Sequence, residues 1–321
     1  MNPPVIGEYR DRKTGLVVFG VFEIIAGAFL WLMVPLMAFV LMAPRRGMPP
    51  LPHVIPATMG FYGLAGTGLI WLGIGSILAR RWARALWVCI AAIMFATGVL
   101  VLPSAGYVAV TGLPGNLAAQ GGPVMPPAAV AAMQIFTLCF MAILYIIIPG
   151  ILLLFYAGGN VRRTCEVRDP QRRWTDRCPL PVLALSLFTG FGAVVLLAAM
   201  PFFGVFPLFG IFAGGTGGRL LMLAYGVVML YAAWGTYRLQ RGAWWLMLTI
   251  MVLMAISGAL TMWHANLQQL YLDLGFDERM AVQAGTVAQR MKWMGVVTTV
   301  PWLGWAFYVR RYFKPPAAAG A

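Results

Sequence analysis

The sequence predicts an all-α integral membrane protein of about eight transmembrane helices, built as two tandem, parallel four-helix repeats. Three observations point there: an apolar composition with long unbroken runs, a one-sided distribution of basic residues, and matched motifs in the two halves. The 321 residues are 61% hydrophobic and only 10% charged, with mean hydropathy +0.82. A soluble domain carries about 25% charged residues. So few charges could not cover a water-exposed surface of this size, which leaves lipid as the solvent for much of the chain.

The apolar runs are long enough to cross a bilayer, which takes about 20 residues. Leu16–Ala43 is one of them and holds a single charge. No short apolar segment with a small-residue cleavage site opens the chain, so the first run reads as a retained helix. The spans are expected at 16–43, 57–79, 85–110, 130–158, 181–206, 219–239, 243–263 and 291–309.

Basic residues set the orientation. With the N-terminus inside, only Arg45, Arg46, Arg219, Arg279, Arg290 and Lys292 of the 23 Lys and Arg residues fall outside. The positive-inside rule therefore places both termini in the cytoplasm, in a plasma (inner) membrane. The same placement explains the net charge of +14 without nucleic acid. The basic segments face the anionic headgroups of the cytoplasmic leaflet instead.

Repeated motifs divide the chain. Tyr9-x-Asp11-Arg12 precedes the first span and Trp174-x-Asp176-Arg177 the fifth, 165 residues on. Pro35 and Pro201 are 166 apart. Arg81-x-x-Arg84-Ala85-x-Trp87 is matched by Arg238-x-x-Arg241-Gly242-x-Trp244 at 157, and Pro149-x5-Phe155-Tyr156 by Pro301-x5-Phe307-Tyr308 at 152. An even number of spans per copy gives both copies one orientation, hence parallel repeats about an axis along the membrane normal. The expected division is a first repeat over 1–158, a basic cytoplasmic linker over 159–180, and a second repeat over 181–321. An external interfacial segment is expected at 264–290, as a short helix broken at Gly275. Leu113–Pro127 and Pro44–Pro56 read as extended outer loops.

Few residues suggest chemistry. Glu23 is the sole acid in an apolar run, and a charge at mid-bilayer costs about 3 kcal/mol or more, which marks it as a candidate intramembrane site with Gln134. It lies seven residues into its span, so snorkelling or pairing with Arg80, Arg81 or Arg84 would also accommodate it. Arg81, Arg84, Arg238 and Arg241 are candidate contacts for anionic lipid or phosphate, since Arg forks grip phosphate bidentately. Topology anchoring, with Trp87 and Trp244 in the interfacial belt, is the plainer reading of those turns. Asp11 and Asp176 are placed to cap the helices that follow.

Cys165 and Cys178 lack the companions of a four-ligand zinc site, and His53 and His264 fall in outer loops. No nucleophile, phosphate-loop or metalloprotease motif is present, so no cofactor, metal or catalytic residue is expected. Glycines 60, 63, 66, 68, 73 and 75 of the second span suit close helix packing in lipid. The opening glycine-rich helix pair resembles that of four-span families such as the MARVEL-domain proteins; the likeness covers two spans and implies no residue roles. Two functional classes follow. Repeats and matched prolines favour a transporter-like carrier of a small or amphipathic solute. The scarcity of intramembrane polar groups favours a non-catalytic subunit or scaffold that packs against partner membrane proteins or lipids.

Overall fold

In a computed structural model, residues 10–42, 54–119, 126–273, 278–290 and 292–313 are described. They form twelve helices and one β-hairpin. The helices are α1 Lys13–Met42, α2 Val54–Ile77, α3 Arg81–Ala119, α4 Pro127–Ala142, α5 Ile148–Ala157, α6 Gly159–Arg168, α7 Leu180–Phe203, α8 Gly215–Tyr237, α9 Arg241–His264, α10 Leu267–Asp273, α11 Glu278–Arg290 and α12 Lys292–Val309. Among the described residues, seven stretches are long and apolar enough to cross a membrane: 13–39, 58–77, 81–107, 127–157, 180–202, 215–237 and 241–264. The chain is a polytopic, all-α membrane protein.

The eighth expected span falls on α12. That helix has 18 residues, and Lys292, Gly295, Thr298, Thr299 and Pro301 leave it less apolar than the others. One loop expectation is corrected. Leu113–Pro127 is expected to be extended, but α3 continues through Leu113 to Ala119. The segment after His264 is helical, with α10 and α11 on either side of residues 274–277, which include the expected break at Gly275. The expected loop Pro44–Pro56 lies largely outside the described residues, as does His53.

The chain forms two compact units, Met1–Ala92 with Pro149–Leu180, and Ile93–Ile148 with Pro181–Ala321. In the first unit α1 and α2 approach backbone to backbone. Modest apolar attraction between helices in lipid makes such close approach depend on small residues. A Cβ on Gly73 would lie 2.6 Å from the Gly20 carbonyl oxygen, and one on Gly66 2.8 Å from that of Gly27. The α1 face carrying Leu16, Gly20, Glu23 and Gly27 is buried, while Phe22, Phe29, Leu32 and Phe39 on its other side stay exposed to lipid.

The turn from α2 to α3 is a Schellman cap. Arg80 N–H donates to the Gly75 carbonyl and Ala79 N–H to that of Ser76, both at 2.9 Å. Ala79 takes φ 52°, a left-handed conformation that costs a non-glycine residue about 1–2 kcal/mol. The basic helix α6 carries Arg162, Arg163 and Arg168, and its Val161, Thr164 and Cys165 are buried. The segment 159–180 is therefore folded onto its unit.

The second unit repeats that turn. Gln240 N–H donates to the Gly235 carbonyl and Leu239 N–H to that of Thr236, again at 2.9 Å, and Leu239 has φ 58°. Arg241, the first residue of α9, thus corresponds to Arg81, the first of α3, at an offset of 160. The sequence register of 157 is corrected: it matched Arg81 to Arg238, which stands at the C-cap of α8. The packing of α7 on α8 follows suit. Ala233 meets Ser186 and Gly190, and Gly226 meets Leu197, as Gly73 meets Gly20 and Ile24 and Gly66 meets Trp31.

Between α7 and α8 stands an unanticipated antiparallel hairpin, β1 Phe206–Leu208 and β2 Ile211–Ala213. Its two-residue turn has φ 42° at Phe209 and 108° at Gly210. Both positive values suit the right-handed twist of a tight hairpin. Ser257 and Thr261 of α9 hold it, accepting from Phe209 N–H (3.0 Å) and Gly210 N–H (3.1 Å). In the same unit a π-turn, Ile143–Ile147, precedes Pro149, whose ring and missing N–H disrupt the regular ladder.

The glycine contact yields a test by thermal unfolding of the purified chain. Gly73→Ala forces a Cβ against backbone and should cost about 1–3 kcal/mol. Gly68→Ala, with nothing within 4 Å of the added Cβ, should leave the midpoint unchanged or slightly raised. Equal melts for the two variants would mean that the close approach does not limit stability.

Candidate functional site

Glu23 faces the interior of the first unit, where helices α1, α2, α3 and α5 converge on it. Its residue is 5% exposed, Ser76 1% and Tyr156 0%. Tyr156 donates from its hydroxyl to Glu23 Oε1 at 2.7 Å, and Ser76 to Oε2 at 3.0 Å. The two hydroxyls are themselves 2.8 Å apart, closing a ring of three contacts. The buried indole of Trp87 stacks on Tyr156, centroids 5.9 Å apart. Its N–H interacts with the Glu23 carboxyl without reaching normal hydrogen-bond geometry. Phe19 and Phe155 pack beside Tyr156.

Proton counting characterises the ring. Each O···O contact needs one hydrogen, and each hydroxyl supplies one. Two hydroxyls and a carboxylate satisfy only two of the three contacts. A protonated carboxyl satisfies all three; the hydrogen bonds then run head to tail, and one of the two hydroxyls accepts from the carboxyl O–H instead of donating to it.

Of the arginines proposed from sequence as partners of Glu23, Arg80 and Arg81 are engaged elsewhere. Arg80 pairs with Asp169 at 3.7 Å, and Arg81 with Asp176 at 3.3 Å and Glu166 at 4.0 Å. Arg173 holds Asp169 at 2.8 Å and Arg168 holds Asp11 at 2.7 Å. Arg84 keeps a buried Nε without a hydrogen-bond partner. These pairs fasten α6 and the following segment to the start of α1 and the turn before α3. Asp11 also accepts from Lys13 N–H at 2.9 Å, capping α1. Asp176 instead caps its own 3₁₀ turn, Trp174–Asp176.

The carboxylates of this layer titrate accordingly. The Arg168 hydrogen bond holds Asp11 below the usual range, and the Arg162 hydrogen bond does the same for Glu166. At Asp169 burial opposes ionisation, but the Arg173 and Arg81 hydrogen bonds outweigh it and the value is lowered.

The remaining site candidates, Gln134, Arg238 and Arg241, belong to the second unit. Gln134 is half-buried on α4 in the second unit. Arg238 lies over the Trp234 ring at 4.8 Å, and Arg241 donates from Nε to the Phe313 carbonyl at 2.7 Å. Trp87 and Trp244, expected in an interfacial belt, are instead buried at 3% and 2% exposure; Trp244 donates to the Ala306 carbonyl at 2.9 Å. Burial pushes the thiols of Cys165 and Cys178 up to about 11, leaving them protonated and unreactive at neutral pH. His264 ends α9 and lines a cleft of about 420 Å³ with Asn266, Gln268, Thr286 and Gln289. Among the described residues, no three His, Cys, Asp or Glu side chains come together as a metal site.

Sequence reasoning missed Ser76 entirely, took Tyr156 as a repeat marker, and took Trp87 as a repeat marker and interfacial anchor. The available signal was that all three sit near the same helix ends as Glu23. The chain matches no protein-family model, no curated protein and no solved structure.

Two predictions follow from this geometry. A glutamine amide can both donate and accept, so Glu23→Gln should preserve the ring and the thermal midpoint. Tyr156→Phe and Ser76→Ala each break it and should cost about 0.5–1.5 kcal/mol. If Glu23→Gln melts as low as Tyr156→Phe, the carboxyl is not protonated.

Separately, Asp11, Glu166 and Asp169 have lowered values, so their stabilisation is complete above their unfolded values near 4. It should be lost as pH falls through the still lower folded values. Asp169→Asn should remove part of this acid-dependent loss, read as a flatter melting-temperature profile at pH below about 4.

Proposed function

We propose that the chain is a transporter-like carrier of a small or amphipathic solute, with the Glu23 ring as an occluded proton site. The observation that carries this reading is a buried carboxyl held by hydroxyls from other helices, with no cation upon it among the described residues. Intramembrane ionisable groups that face a helix bundle mark ion and proton pathways. The ring lies near the ends of α2 and α5, beneath the ion-paired α6 segment, which would form the cytoplasmic closure.

On this reading α12 is the eighth span, and the chain is two tandem parallel repeats with both termini in the cytoplasm of an inner-membrane protein. The matched Schellman turns and the matched helix pairs α1–α2 and α7–α8 support the duplication. The basic linker supports the orientation.

A second reading, a non-catalytic subunit or scaffold, is favoured by the completeness of the ring, which can serve simply to pin α1, α2 and α5. Charge movement separates the two. Proteoliposomes on a solid-supported membrane are given jumps of pH and of a panel of small organic anions, cations and zwitterions. A carrier should give a pH-dependent transient current with at least one solute, and Glu23→Gln should abolish the pH dependence. Currents equal to protein-free liposomes throughout would leave the scaffold.

A further inference from the structure

The matched turns before α3 and α9 differ in how their leading arginine is neutralised. Arg81 meets the carboxylates of Asp176 and Glu166. Arg241, 160 residues on, has only the Phe313 carbonyl, and no carboxylate pairs with it among the described residues. The sequence explains this. The acids of the second unit are Asp273, Asp277 and Glu278, all beyond the opposite end of α9. That helix has 24 residues and is roughly 36 Å long at about 1.5 Å per residue.

The charge grows rather than falls around Arg241. Arg310 and Arg311, in the 3₁₀ turn Arg310–Phe313 that follows α12, line the same cleft of about 610 Å³. Arg310 lies over the rings of Trp244 and Trp245 at 5.7 and 5.9 Å. Arg311 lies over Tyr308 at 4.0 Å and donates to Tyr312 Oη at 2.7 Å. Three guanidiniums thus share one aromatic-walled cleft with no acidic side chain among its described lining residues.

We infer that this cleft binds a phospholipid with an anionic headgroup. Its phosphate takes the role that Asp176 and Glu166 have at Arg81, and an acyl chain lies against the aromatic wall. The planar guanidinium fork fits phosphate oxygens bidentately. The apolar wall selects an amphiphile over a free anion, and the end of a membrane-length helix is where headgroups lie. On the positive-inside orientation this is the cytoplasmic leaflet, which is rich in anionic lipid. The site stands whether or not the chain carries a solute.

The test uses the full chain in nanodiscs of phosphatidylcholine with and without phosphatidylglycerol, with retained lipid read by native mass spectrometry. Wild type should retain phosphatidylglycerol in preference to phosphatidylcholine. Replacing Arg310 and Arg311 together by Gln should weaken that retention about tenfold. Arg238→Gln, whose guanidinium stacks on Trp234 outside the cleft, should leave it unchanged. If the double variant fails to fold, Arg310→Lys is read in its place; it keeps the charge without the fork and should still lose retention severalfold. Unchanged retention in the Arg310 variants overturns the site. So does an equal loss with Arg238→Gln, which would mean bulk charge alone. Inorganic phosphate displacing the lipid completely at equal concentration would make it a free-anion site and overturn the lipid assignment.

Discussion

A polar group within hydrocarbon must be satisfied by protein, because lipid offers it no hydrogen bonds. In the first unit that requirement falls on one carboxyl and shapes everything near it. Glu23 can be buried only where two hydroxyls reach it, which brings Ser76 of α2 and Tyr156 of α5 against α1. Ser76 can reach it only if α1 and α2 are close, and that closeness rests on glycine at 20, 27, 66 and 73. The ring and the glycine contact are therefore mutually dependent: each holds the geometry the other needs.

Charge is divided unequally between the units. The first unit holds all three acids of the 166–176 segment, and spends them on Arg80, Arg81, Arg162 and Arg173. Exposed pairs of this kind contribute little individually, but Asp169 is 1% exposed, and burying a carboxylate alone would be costly. Its several arginine contacts are thus required by its position. The second unit has basic residues at the matching turn without acids to meet them. Aromatic faces take up part of that charge at Trp234, Trp244, Trp245 and Tyr308, since ring faces attract cations.

What was legible in the sequence follows from the strength of each physical signal. Spans appear as apolar runs, and the interior position of Glu23 follows from the cost of exposing it to lipid. The hairpin at 206–213 was not legible because its turn is Phe209-Gly210, lacking the Asn-Gly or Asp-Gly that usually marks such turns. The continuation of α3 past Leu113 was obscured by Pro and Gly, whose local preference the helix overrides. The three-residue slip in register at the second turn has a simple origin. Arg and Trp recur on both sides of it, while the features that define the cap, a left-handed residue and its two hydrogen bonds, fall on Ala79 and Leu239. Neither is the glycine that usually signals that conformation.

The corrected register bears on why Glu23 is there. On the proposed duplication, offsets of 166 and 160 would set Glu23 against Thr189, Ser76 against Thr236 and Trp87 against Met247. Thr189 is satisfied within its own helix, donating to the Leu185 carbonyl at 2.9 Å, and Thr236 donates to Met247 Sδ at 3.8 Å. Both threonines are buried. Among the described residues, the second unit therefore places threonine and no carboxyl at these positions. Packing of this kind does not call for a carboxyl, and a carboxyl in hydrocarbon carries a desolvation cost that threonine avoids. The cost is met on α1 where hydroxyls from α2 and α5 reach the carboxyl. The proposed proton role of Glu23 would account for that asymmetry.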